Sequence, residues 1–161
     1  MSAPRPAHEG PIAEIRSLAR SSTGTAGLDG LVDAVAGARF VCLGEASHGT
    51  HEYYAWRAEL SQRLVMEHGF TWIGVEGDWP DCWRINRWVR GIEDQDLDAG
   101  QVLARFERWP TWMWANREVS DFLAWLHAWN RSRPPERRVG FYGLDVYSLW
   151  DSLRETISWL E

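Results

Sequence analysis

The chain contains no lysine: all 17 of its basic side chains are arginine. Phosphate binding through a P-loop and Schiff-base catalysis both need that amine, so both are excluded. Cysteine is almost as scarce. Cys42 and Cys82 lie far apart without metal or redox spacing, and Cys42 falls inside a segment read as a strand, which predicts a buried thiol. Basic charge is in deficit too. A formal net charge of -6 leaves no electropositive footprint, which argues against nucleic acid and anionic membrane surfaces as partners. No apolar run approaches a membrane span, and the polar stretch Met1 to Gly10 has no signal-peptide hydrophobic region. A cytoplasmic protein is the expectation.

Tryptophan is what the chain has in excess, 12 in 161 residues. Ordinary packing explains most indoles. Even so, Trp72, Trp79, Trp83, Trp88, Trp109, Trp112 and Trp114 fall near the loops that carry candidate site residues. Their grouping hints at a broad apolar cleft. The length suits one domain with a real core.

The most informative stretch is Val41-Cys42-Leu43-Gly44-Glu45-Ala46-Ser47-His48-Gly49-Thr50-His51. An apolar run from Phe40 to Leu43 stops at an acid, a histidine and two glycines, and a helical pattern follows at once. A buried parallel strand hands its C-terminal end to a functional loop in this way. The event recurs where Trp72-Ile73-Gly74-Val75 ends in Glu76-Gly77-Asp78. It recurs again where Val139 to Leu144 ends in Asp145. Three apolar strands would each deliver a carboxylate to one sheet edge.

The rest of the chain fits that frame. Met1 to Ala7 reads as a tail. Pro11 to Arg20 reads as an amphipathic helix with Ile12, Ile15, Leu18 and Ala19 on one face. Ser21 to Gly27 is a small-residue linker, so residues 1–27 form an extension and residues 28–161 the body. Helices are predicted over Leu28 to Ala36, His51 to His68 (stopped by Gly69), Gly77 to about Arg90, Ala99 to Phe106, Arg117 to Arg131, and from Ser148 onward. Strands are predicted over Arg39 to Leu43, Phe70 to Val75 and Val139 to Leu144. The acidic connection Ile92 to Asp98 lacks the glycine and terminal glutamate of a calcium loop and reads as solvated. Strands separated by such helices mean right-handed βαβ units: an α/β fold with a partial parallel sheet of about three strands, flanking helices, and a site at the C-terminal strand ends. Three strands are few for a sheet covered on both faces. The last helix has no glycine stop, so the chain reads as the N-terminal part of something longer. A missing C-terminal half, or self-association, would complete the fold.

Glu45 and His48 are three apart in a strand-to-helix loop. An imidazole titrates near neutrality, and a carboxylate beside it fixes its tautomer, which together make a general base for water. Glu76, from the neighbouring strand, could face the same water, and Arg57, two turns into the following helix, could hold the carboxylates or stabilise an oxyanion. The competing reading is that both glutamates only cap helices, where negative charge is welcome. Two adjacent strand ends plus His48 favour function. Ser47 is one residue from a nucleophile elbow, but that turn needs a small residue where Glu45 stands. Glu45, His48, His51, Glu76, Asp78 and Asp145 have ligand types suited to zinc or manganese, yet no helical His-Glu-x-x-His is present. The reading therefore calls for no metal and no cofactor.

Leu43 to Glu52, then Glu67-His68-Gly69-Phe70, then Glu76 to Asp81, closely resemble the erythromycin esterase family. Pro110-Thr111-Trp112-Met113-Trp114 with Asn116, and Phe141 to Ser148, continue the resemblance. It implies hydrolysis of a macrolide lactone or related ester by activated water, without a covalent intermediate, in macrolide resistance or detoxification. The family's essential histidine falls on His48, its partner glutamates on Glu45 and Glu76, and its arginine on Arg57. His51, Asp78, Trp79, Trp112, Trp114 and Asp145 are candidates for binding a small-molecule ester or macrolide. By the same resemblance a second functional histidine lies in a C-terminal half absent from this chain, and no residue here stands in for it by motif. A metal-dependent hydrolase using the same Glu/His cluster is one rival. A catalytically silent binding module that keeps the aromatic cleft is the other.

Overall fold

The computed structural model describes residues 9–19, 25–106 and 110–160. The tail expected over Met1 to Ala7, most of the linker (Ser21 to Gly24) and Trp109 lie outside the described residues. The chain divides into two compact units, Met1–Arg39 and Phe40–Glu161. The first holds helix α1 (Glu9–Leu18), a 3-10 turn (Thr25–Leu28) and helix α2 (Asp29–Val35). Leu28 and Val32 are buried there, whereas Ile12 and Ile15 on α1 are exposed.

The second unit is a parallel pair of strands with flanking helices. Its order is α3 (His51–His68), β1 (Trp72–Asp78), α4 (Trp79–Val89), α5 (Ala99–Leu103), α6 (Arg117–Arg131), β2 (Gly140–Asp145) and α7 (Leu149–Leu160). Helix α3 starts from an extended Thr50 and stops at Gly69, whose φ of +70° is the left-handed conformation that glycine adopts without a Cβ penalty. Asp98 opens α5 with a reciprocal capping box to Gln101, and the Asn116 side chain accepts from the Val119 N–H to open α6. Apolar residues at helical spacing then face inward. Cys82, Ile85 and Val89 of α4 and Val119, Phe122, Leu123 and Leu126 of α6 form the core with Phe141 and Val139. Trp129 packs against that core only partly buried.

β1 and β2 run in register from Trp72 opposite Gly140 to Val75 opposite Gly143, with an irregularity before Asp78 meets Asp145. Gly143 is required by this close approach: a Cβ there would lie 2.5 Å from the Gly77 carbonyl oxygen and 2.7 Å from that of Asp78.

Among the described residues the sheet has two strands, not the three expected. Arg39 to Leu43 makes no strand ladder, Phe40 is 80% exposed and Cys42 is exposed, so the buried thiol expected there is also corrected. An apolar run becomes a strand only where a neighbour takes its N–H and C=O groups. At β2 that role on the second edge goes to side-chain amides. Asn86 Oδ1 accepts from the Phe141 N–H at 2.9 Å, and Asn130 bonds both the N–H (2.8 Å) and the carbonyl (2.9 Å) of Val139. Cys82, by contrast, is fully buried in α4, and burial pushes its thiol far up. No helix among the described residues is long and apolar enough to cross a membrane.

Candidate active site

The loop between Leu43 and α3 folds back on itself through short side chains. Ser47 Oγ and Thr50 Oγ1 are 3.0 Å apart and share a hydrogen bond. Gly49 takes φ +82°, and a Cβ there would press on the Trp112 ring at 3.2 Å. Its N–H donates to the Tyr54 hydroxyl at 3.4 Å. The loop is thus pinned from below by α3 and from the side by the segment before α6.

This bend brings Glu45, His48 and Arg57 together. Glu45 Oε1 takes a hydrogen bond from His48 Nδ1, and Oε2 accepts from Arg57 Nη1 at 2.7 Å. The Glu45 side chain is only 7% exposed, that of Arg57 24% and that of His48 42%. An ionised carboxylate only accepts, so Nδ1 carries the ring's proton and Nε2 points its lone pair elsewhere. The guanidinium lies over two aromatic faces, 4.7 Å from the Tyr54 centroid and 5.4 Å from that of Trp114. Both are favourable placements for a cation. Burial pushes the Tyr54 phenol above its usual range, opposed chiefly by the Gly49 N–H.

Trp114 carries the connection to the next strand end. It is buried, meets Phe141 edge-on at 6.1 Å, and donates its indole N–H to the Glu76 carbonyl at 2.8 Å. A cavity of about 290 Å³ opens here, lined by Glu76, Gly77, Asp78, Phe106, Pro110, Met113, Trp114 and Tyr147. Its walls are mainly apolar, with the exposed Glu76 side chain among them. Asp78 is 3% exposed and already fully engaged. Oδ1 accepts from the N–H groups of Tyr147 (3.0 Å) and Ser148 (3.3 Å), and Oδ2 accepts from the Ser148 hydroxyl. This carboxylate holds the turn into α7. Asp145, opposite it in the ladder, keeps a buried Oδ2 without a hydrogen bond among the described residues.

The remaining candidates scatter. Trp79 stacks on Trp83 at 6.0 Å along α4, and Trp72 on Tyr142 at 5.7 Å across the strands. Trp88 is core, stacked on His127 at 4.4 Å. Of the described tryptophans named for the expected cleft, Trp114 lines the cavity, whereas Trp112 lies against Gly49 of the loop. His51 takes a partner outside the Glu45 cluster: its Nδ1 meets Glu118 Oε1 of α6 at 2.7 Å. Glu118 is held below the usual carboxylate range by its own backbone N–H first and His51 second. Sequence reasoning missed Glu118 and Tyr54. Tyr54 lies three residues from both His51 and Arg57, one helical turn each way, and Glu118 sits in the first turn after the Asn116 cap; both signals were readable. Among the described residues no group of three or more His, Cys, Asp or Glu side chains is placed to hold a metal ion.

A parallel-stranded α/β unit with its polar cluster at the loop before the first long helix defines the general class. Within it, the family profile described as erythromycin esterase matches residues 65–161, over half the chain, and the chain belongs to that family. An Escherichia coli protein, erythromycin esterase type II, is 27% identical over 108 residues, which cover 67% of this chain and 23% of that protein. The chain thus spans about a quarter of that curated relative. The crystal structure of a Bacillus cereus protein superposes with a TM-score of 0.65 at 26% identity, over 84% of this chain and 31% of its own. A succinoglycan biosynthesis protein matches in fold with a TM-score of 0.71 at 21% identity, over 98% of this chain and 40% of its own. Glu76, Asp78, Trp114 and Asp145 lie inside the span the family profile matches; Glu45, His48 and Arg57 precede it.

Proposed function

We propose that this protein is a carboxylic ester hydrolase that activates water by general-base catalysis, acting on a small-molecule ester or a macrolide lactone. The observation that carries the reading is the Glu45–His48–Arg57 cluster. Glu45 fixes the His48 tautomer, so the Nε2 lone pair takes a proton from water as its oxygen attacks the acyl carbon. Arg57 holds Glu45 in place through its hydrogen bond to Oε2 and offers positive charge near the developing oxyanion. Glu76 supplies a second carboxylate beside the cavity, whose apolar walls suit the hydrocarbon part of the substrate. Trp114 lines the cavity, and Trp112 stands beside the loop at Gly49 as a further aromatic contact for substrate. In this reading no acyl-enzyme forms and no metal takes part. Family membership supports a role in macrolide resistance or a related detoxification, and the reading sets that role in the cytoplasm.

The test is His48→Asn. Asparagine keeps a hydrogen-bonding group but accepts no proton near neutrality, so hydrolysis of aryl esters and macrolides should fall by about 10²–10⁴ while ligand affinity holds. An unchanged rate would overturn the assignment. A second reading, a binding module without turnover, is favoured by the cavity beside Glu76. Ligand binding with no hydrolysis by the unsubstituted protein would select it.

A further inference from the structure

Ester hydrolysis needs two proton transfers, one from the attacking water and one to the departing alkoxide. The cluster around Glu45 provides for the first. The structure holds a second imidazole–carboxylate pair close by in sequence, joining His51 at the start of α3 to Glu118 in the first turn of α6. We propose that His51, oriented by Glu118, is the proton donor to the leaving-group oxygen. The assignment rests on the hydrolase reading given above and adds a second catalytic residue to it.

Several observations support it. His51 Nδ1 and Glu118 Oε1 are 2.7 Å apart, and the carboxylate only accepts, so Nδ1–H is committed to Glu118 and, in the imidazolium form that the carboxylate favours, Nε2 is the atom that carries and gives up a proton. The His51 side chain is 69% exposed and can meet a ligand, while Glu118 is 21% exposed and firmly seated. Glu118 stays ionised because a helix N-terminus and its own N–H favour the anion. The pair also shares a wall with the first cluster. Segment 111–118 touches the loop at Gly49 through Trp112, reaches Arg57 through Trp114, and meets His51 through Glu118. Tyr54, the phenol beside this loop, is 3% exposed and too buried to meet a leaving group.

The step balances. The water oxygen forms the new bond to the acyl carbon and its proton passes to His48 Nε2. The acyl carbon–alkoxy bond breaks, its electron pair goes to the alkoxy oxygen, and that oxygen takes the proton from His51 Nε2. His48 then releases its proton to solvent and His51 regains one from solvent.

Two esters of one acyl group test this, a nitrophenyl ester and a simple alkyl ester. Nitrophenolate leaves as a stable anion and needs no acid, whereas an alkoxide does. With His51→Gln the alkyl ester should lose about 10²–10⁴ in kcat/KM while the nitrophenyl ester changes by no more than a few-fold. Glu118→Gln should show the same selectivity in weaker form. Equal losses on both esters, or no loss on either, overturn the proposal and leave the hydrolase reading standing. If the unsubstituted protein hydrolyses neither ester, the hydrolase reading fails and this assignment falls with it.

Discussion

The guanidinium of Arg57 reaches back twelve residues to donate to Glu45 Oε2 at 2.7 Å, and it also lies over the Trp114 ring at 5.4 Å. One side chain of α3 thereby joins the acidic loop to the segment that also binds the Glu76 carbonyl. The cluster is a tertiary object, made by a helix, a loop and the segment around Trp114 that leads into α6.

Removing that arginine should be costly. Arg57→Ala leaves Glu45, 7% exposed, without its counter-ion. A full buried-pair loss is about 3–5 kcal/mol, and the partial exposure of Arg57 lowers the expectation to about 1–3 kcal/mol. Arg57→Lys should restore much of the stability but little activity, because a point ammonium does not reproduce the planar fork. Urea unfolding midpoints and ester hydrolysis, measured on the same samples, separate the two. Equal recovery of both by lysine contradicts the role given to the fork.

Gly143→Ala should destabilise the strand pair. The new methyl would meet two backbone carbonyl oxygens at 2.5 and 2.7 Å, and backbone has no rotamer into which it can retreat. A loss of about 1–3 kcal/mol is expected, seen as a lowered thermal midpoint. Gly44→Ala, with open space around its Cβ position, is the control and should change little.

The His51–Glu118 pair should leave a mark on the acid limb of the stability curve. The Glu118 carboxyl is depressed in the folded state, so its contribution is complete above the ordinary carboxylate pKa and is lost as pH falls through the depressed value. With the His51 ring 69% exposed and screened by solvent, the size is below about 1 kcal/mol. Difference titrations of stability against pH, protein minus Glu118→Gln, should show this acid-side decline and be flat above it. A difference that grows as pH rises contradicts it.

Ser47→Ala should keep most of the hydrolytic activity. The hydroxyl is occupied with Thr50 across the loop, and loss of one exposed neutral hydrogen bond costs about 0.5–1.5 kcal/mol at most. Mass spectrometry during turnover should detect no acyl-enzyme. A dead Ser47→Ala with a trapped acyl group replaces the activated-water mechanism with a serine one.

How much of this was legible in the sequence differs from element to element. Helix α3 runs from His51 to His68 as its capping pattern predicted, because Gly69 and the helical spacing of Leu60 and Leu64 are local signals. Phe40 to Leu43 carried an equally good strand pattern and is not a strand, because a ladder needs a partner that no local signal supplies. Cys42 followed the same error into the solvent.

The sequence by itself determined the α/β class, the parallel strand ends with their acids, and the loop that places Glu45 three residues before His48. These depend on periodicity, caps and turn residues within a few positions of one another. Only the tertiary structure decided which acids meet which bases. It set Arg57 against Glu45, gave His51 to Glu118 across 67 residues, and drew the Asp78 carboxylate into the turn before α7. Such pairings come from helices packing side by side and from strand register. A one-dimensional pattern fixes the face a residue occupies but not the neighbour it meets there.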